Sequence, residues 1–235
     1  MKIQFKYLIG HWQIILYIFH ILYFNFKYLP FKQALKIPIL LYKPNFLGLS
    51  GKIIIEGPIT TGMITMGLNR VPFYPNEGIK FDNSDTIIFK GPYNIGNGSA
   101  ISVGENAILT FGSNFKATCS FRCISHNYVK FSSNCLIGWD TIFMDTDWHT
   151  LKYPNGKNTK GYGKIEIGSD VWFANGCRIY KNTYIPNKTT ISANTVLSEK
   201  LEIPENCIIS NQNEIIIRRQ GLYHKMGDDK VIYQR

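Results

Sequence analysis

Large apolar residues recur every six positions along the C-terminal half of the chain, and this period limits the possible folds more than any other feature. Backwards from Ile209 the series reads Ile203, Leu197, Ile191, Ile185, Ile179, Phe173 and Ile167, and it resumes in phase at Phe143, Ile137 and Phe131. A second series stands two residues before each: Val129, Cys135, Thr141, Ile165, Val171, Cys177, Thr183, Thr189, Thr195, Leu201 and Cys207. None of these is charged, and most are Val, Thr or Cys. Residues i and i+2 of a strand point the same way, so both series face inward. A period of six then means short strands joined by tight corners, three to a triangular coil of about eighteen residues. The predicted fold is an all-β solenoid whose coils bury their apolar faces only against one another. Ile95-Gly96, Val103-Gly104 and Phe111-Gly112 read as earlier coils whose register slips by two.

The first fifty residues have a different texture. They hold twelve of the thirty-three aromatic residues and read as helix up to about Phe26, broken by Pro30, Pro38 and Pro44. The expected organisation is a helical, basic and aromatic lead-in over 1–50, the solenoid over 51–213 with an inserted loop near 145–164, and a short tail over 214–235. At 235 residues, 45% of them apolar, the chain has ample material for a core, which excludes wholesale disorder.

The net charge of +10 is not evenly spread. Residues 1–52 carry seven lysines and no acid, residues 218–235 carry five basic and two acidic groups, and 53–217 carries fourteen of each. A neutral centre without a binding motif argues against a nucleic-acid partner. The basic lead-in fits either a helix packed on the protein's own body or an arm in peripheral contact with anionic lipid. Its longest apolar run, Ile14 to Phe24, is too short to span a bilayer and is followed by no small-residue cleavage site. Five cysteines without a CxxC pair argue against a disulfide framework and fit a reducing cytoplasm, so the expected location is cytoplasmic, possible membrane contact being at its inner face.

The hexad phase breaks at one place. From Phe143 to Ile167 is twenty-four residues, and the extra segment is polar and turn-rich. Binding groups concentrate on such loops. His149 stands where the scaffold meets this loop, which suits a general base, because imidazole with its ordinary pKa of about 6.5 accepts a proton at neutral pH. Asp145 and Asp147 flank it. Either is placed to hold the other ring nitrogen, and either is equally able to bond corner amides or an acceptor.

Ile142-Phe-Met-Asp-Thr-Asp-Trp-His149 and Ile165-Glu-Ile-Gly-Ser-Asp-Val-Trp-Phe173, together with the hexads, resemble signatures of the hexapeptide-repeat acyltransferases. The likeness is nearest to sugar and polysaccharide O-acetyltransferases of lipopolysaccharide or capsule. Phe24-Asn-Phe-Lys-Tyr-Leu-Pro30 is similar to their lead-in. The resemblance implies a left-handed parallel β-helix and a homotrimer with sites between neighbours. It implies acetyl-CoA as acyl donor, a carbohydrate acceptor and direct transfer with His149 as base. Trp172 matches the family tryptophan, which either stacks on ligand or packs outward on another subunit; Trp148 and Asn175 complete the expected acceptor site. Ala193 and Asn194 take the place of a family Ala-Gly pair at the coenzyme, and Lys181, Lys188, Lys200, Arg218 and Arg219 are the cations on hand for its phosphates. Ala174, Tyr180, Pro186 and Ser192 replace family glycines, which leaves asparagine to supply left-handed corners.

Two other classes fit parts of the pattern. One is N-acetyl transfer to a nucleotide-linked amino sugar, and the other is a non-catalytic solenoid that binds a partner. A zinc enzyme of the three-histidine type does not fit, because the repeats contain only His126 and His149, and no metal is expected.

Overall fold

The computed structural model describes residues 12–68, 71–200, 202–211 and 215–220. The chain visits three sheets in rotation as far as Val196–Leu197, building a nine-, a seven- and a six-stranded sheet around one core, and its last two described strands both join the first sheet. Strand pairs are parallel from coil to coil; the exception is the last pair, where Ile215–Gln220 runs antiparallel to Cys207–Asn211. That final strand covers the edge that the first sheet would otherwise leave unpaired. The fold is an all-β solenoid, as the hexads require.

Inward residues sit on one another in register. In the second sheet Phe81, Ile101, Cys123, Phe143 and Ile179 form one column. In the third, Phe89, Phe111, Phe131, Ile167 and Ile185 form another. Phe89, Phe111 and Phe131 stack nearly parallel, with centroids 5.4 and 5.5 Å apart. All ten of these side chains are buried.

The column numbers explain the slipping register. From Phe89 onward the step from third to first sheet is six residues in each coil (Phe89 to Ile95, Phe111 to Ala117, Phe131 to Ile137), and so is the step from first to second. In these coils only the corner from second to third sheet varies. It takes eight residues from Phe81 to Phe89, ten from Ile101 to Phe111, eight from Cys123 to Phe131, twenty-four from Phe143 to Ile167, and six from Ile179 to Ile185. The solenoid therefore places every insertion of its central coils on one edge.

The small inward residues also close corners. The hydroxyls of Thr183, Thr189 and Thr195 donate to the carbonyls three residues back, at 2.8, 3.0 and 2.7 Å. The thiols of Cys177 and Cys207 do the same at 3.3 and 3.0 Å. The residue just before each carries the left-handed backbone: Asn182, Lys188 and Asn194 have φ of 64°, 56° and 59°. Asparagine supplies the corners two positions beyond Tyr180 and Ser192, Gly176 and Lys188 those two beyond Ala174 and Pro186, and none of Ala174, Tyr180, Pro186 and Ser192 has a positive φ.

Two strands, Ile39–Leu41 and Pro44–Leu49, begin the first and second sheets ahead of residue 51, so the solenoid starts twelve residues before the expected boundary. Pro44 opens a strand there, a position that needs no N–H from it. Helix α1 (Ile18–Tyr28) closes this end, followed by the single turn α2 (Phe31–Ala34). Asn25, fully buried, uses its side-chain amide as a substitute peptide: Nδ2 donates to the Ile39 carbonyl at 2.8 Å and Oδ1 accepts the Ile39 N–H at 3.1 Å. The tail expected over 214–235 lies largely outside the described residues.

Candidate active site

The variable edge carries the site. The longest insertion leaves strand Ile142–Met144 and returns at Lys164–Ile167. It is a folded-back ribbon rather than an open loop: Asp147 N donates to Gly161 O at 2.7 Å, Gly163 N to Asp145 O at 2.9 Å, and Thr159 N to Leu151 O at 2.7 Å. Gly161 is needed for this contact, since a Cβ on it would stand 2.7 Å from the His149 carbonyl oxygen.

Asp145 anchors the base of the ribbon. Its carboxylate is fully buried and accepts the N–H groups of His126, Asn127 and Tyr128 at 2.6, 2.9 and 2.7 Å, with the Ser125 hydroxyl at 3.3 Å. These amides form the same corner one coil earlier. Asp145 is thus committed to corner amides and does not orient His149. Asp147 is half-exposed and pairs with Lys181 of the following coil, so neither aspartate holds the histidine ring.

Beyond Asp147 the chain turns sharply. Trp148 has φ of 56°, a left-handed value costly for a bulky residue, and its N–H bonds the Thr146 hydroxyl at 3.0 Å. The turn leaves His149 exposed at a cleft of about 510 Å³ lined also by His126, Trp148, Thr150, Lys160 and Tyr162. The indole N–H of Trp148 donates to Nε2 of His126 at 3.3 Å. The cleft thus offers two imidazoles, an exposed indole and a phenol around one open space.

A second, larger groove of about 770 Å³ adjoins it through Lys160, and Lys164, Lys200, Glu166, Asn182 and Tyr184 line it. Three lysines against one glutamate make it electropositive. Lys160 lies over the Tyr162 ring at 4.6 Å and Lys164 over Tyr128 at 5.4 Å, contacts that hold both ammonium groups along the groove.

Of the expected site residues, His149 and Trp148 meet in the cleft, and Lys200 lies in the adjoining groove. Lys181 is occupied by Asp147 and lines neither. Trp172, about one-third exposed, lies on the first sheet between Leu136 and Thr190, away from the edge with His149. Asn175, Ala193 and Asn194 stack at the corner from first to second sheet, where Asn194 N donates to Asn175 O at 2.9 Å. Arg218 falls in the final antiparallel strand. Within one chain these residues do not form a single site. His126, Lys160 and Tyr162 were not among the expected residues. The signal for His126 was the eight-residue corner from Cys123 to Phe131, which repeats in miniature the break at His149, while Lys160 and Tyr162 lie in the insertion itself.

All five cysteines are buried and unpaired. Burial pushes the Cys135 thiol up to about 12 and Cys177 to about 11, and it raises Cys123 and Cys207 as well. These four thiols stay protonated at neutral pH and Cys119 is fully buried, which argues against a cysteine nucleophile.

No protein family and no curated protein sequence matches the chain. Solved structures do. The polySia-specific acetyltransferase NeuO is similar with a TM-score of 0.51 at 18% identity, over 80% of this chain and 75% of that one. At that identity the likeness is one of fold, a left-handed parallel β-helix. The N-acyltransferase AntD from Bacillus cereus, in complex with dTDP and coenzyme A, is similar at a TM-score of 0.36 and 16% identity, over 84% of this chain and 91% of that one, which is too distant to carry an argument.

Proposed function

We propose that the protein is an acetyl-CoA-dependent O-acetyltransferase that modifies a sugar hydroxyl of a surface polysaccharide or its precursor. The observation that carries this reading is the exposed imidazole of His149, held on a rigid corner beside an exposed indole and an electropositive groove. An O-acetyl donor site needs little more: a base, a stacking surface for a sugar ring, and cations for the phosphates of the donor. The occurrence of this fold in an acetyltransferase of polysialic acid supports it.

In the proposed reaction His149 takes the proton from the acceptor hydroxyl as its oxygen attacks the thioester carbonyl. The tetrahedral oxyanion then collapses, the carbon–sulfur bond breaks, and the imidazolium returns its proton to the departing thiolate. The products are an acetyl ester and free coenzyme A. The burial of the cysteines speaks against a route through an acyl-cysteine.

Acetyl-CoA is a substrate here, and the groove with Lys160, Lys164 and Lys200 suits its phosphates better than the corner of Ala193 and Asn194, which carries no charge. We place Trp172 at a contact between copies of a homotrimer, where it would line a neighbour's cleft. The test is thiol release from acetyl-CoA with a panel of bacterial glycans, for wild type and His149→Ala, with chemical analysis of the product. An ester formed by wild type alone supports the reading. An amide would reassign the acceptor to an amino sugar, and no transfer by either protein would leave a binding solenoid.

A further inference from the structure

Helix α1 is locked to the solenoid by one face. Ile21, Phe24, Asn25 and Tyr28 are buried, Asn25 clamps the backbone of Ile39, and Phe24 stacks on Phe46 at 5.4 Å and meets Phe81 edge-on at 5.1 Å. The helix cannot roll without breaking these contacts. Its other face is therefore permanently outward.

That face is apolar. Ile15 and Leu16 from the preceding turn, then Phe19, Tyr23 and Phe26, are exposed, and Phe31 and Leu35 continue the patch past Pro30. Phe19 is 82% exposed and Phe31 68%. Scattered apolar residues on a surface are ordinary, but a contiguous set on one side marks an interaction site. Exposed Lys27, Lys32 and Lys36 interleave with it, and no Asp or Glu occurs before Glu56.

Aromatic side chains at headgroup depth with lysines beside them are what an interfacial helix presents to lipid. A second copy meeting this one through the same patch would bring lysines face to face with no acid to neutralise them. No helix among the described residues is long and apolar enough to cross a membrane, so the contact is with a surface. We infer that the outer face of α1 and α2 docks the protein on an anionic bilayer, with the aromatic rings in the headgroup layer and the three lysines against lipid phosphates. This inference is independent of the proposed reaction.

The test is co-sedimentation of the full chain with vesicles of phosphatidylcholine alone and of equal parts phosphatidylcholine and phosphatidylglycerol. Wild type is expected to partition at least tenfold more strongly onto the anionic vesicles and to lose most of that advantage at high salt. Lys27→Glu/Lys32→Glu/Lys36→Glu removes about fivefold per lysine or more, and Phe19→Ser/Phe31→Ser weakens binding at least tenfold. Both variants change exposed side chains only, and thermal melting verifies their fold. Failure of wild type to bind anionic vesicles, equal binding to both vesicle types, or variants that bind as well as wild type would each overturn the inference. A Phe19→Ser/Phe31→Ser protein that dissociates into smaller oligomers yet binds vesicles unchanged would assign the patch to a second copy instead.

Discussion

The indole of Trp148 donates its N–H to Nε2 of His126 across 3.3 Å, and the two rings meet edge to face with centroids 5.8 Å apart. An Nε2 that accepts carries no proton, so the neutral ring of His126 holds its hydrogen on Nδ1. His126 thereby acts as a positioning residue for Trp148, and the indole becomes a fixed wall of the cleft. Trp148→Phe keeps a ring but loses the bond, and it is expected to raise the acceptor KM roughly 2- to 10-fold with little change in kcat. Trp148→Ala is expected to raise KM further. Steady-state kinetics of acetyl transfer check this, and equal KM values in all three proteins would remove Trp148 from the acceptor site.

His149 projects from a corner that its own side chain does not support. His149→Ala should therefore leave the melting temperature unchanged while reducing kcat by about 10²- to 10⁴-fold, the usual contribution of a general base. A parallel loss of activity and stability would show instead that His149 is structural.

The two aspartates beside it should separate in the opposite manner. Asp145→Ala strands the N–H groups of His126, Asn127 and Tyr128, at a cost of about 2–4 kcal/mol. That lowers the melting temperature by roughly 5–15 °C in a protein of this size. Asp147→Ala breaks a half-exposed pair with Lys181, worth about 1 kcal/mol or less. Its melting temperature should stay within about 3 °C of wild type. Calorimetry of the two variants checks the assignment of one carboxylate to the scaffold and the other to the surface.

What the sequence revealed follows from where its period holds. Two corners of every coil from Phe89 to Ile191 keep the six-residue step, and there the inward residues can be read off by counting. The third corner varies from six to twenty-four residues, so counting fails there, and that is the edge on which His126, Trp148 and His149 converge. His149 was legible because it interrupts the period in a motif. His126 was not, because an eight-residue corner looks like a slip of register. Ile39–Leu41 and Pro44–Leu49 were hidden differently: their coils are long, with Ile39 pairing Ile64 and Phe46 pairing Phe81, and no period survives such spacing. Asp145 and Asp147 are alike in sequence, and only burial distinguishes them.

The buried thiols give the protein a pH-dependent stability with a definite sign. An unfolded cysteine ionises near pH 8.5, whereas burial holds Cys177 up to about 11 and Cys135 to about 12. The native state binds these protons more tightly than the unfolded chain. The resulting stabilisation is complete below the unfolded value and drains away as pH rises from there toward the native values. Melting temperatures should therefore be level from about pH 6 to 8 and fall above about pH 9, and the fall should be shallower in Cys135→Ala/Cys177→Ala. Lysine and tyrosine titrate in the same alkaline range, so the comparison with that variant isolates the thiols. The same burial predicts that iodoacetamide at neutral pH leaves all five cysteines of the native protein unlabelled and acetyl transfer undiminished. Inactivation by alkylation of one native cysteine would point to an acyl-cysteine intermediate and displace direct attack by the acceptor hydroxyl.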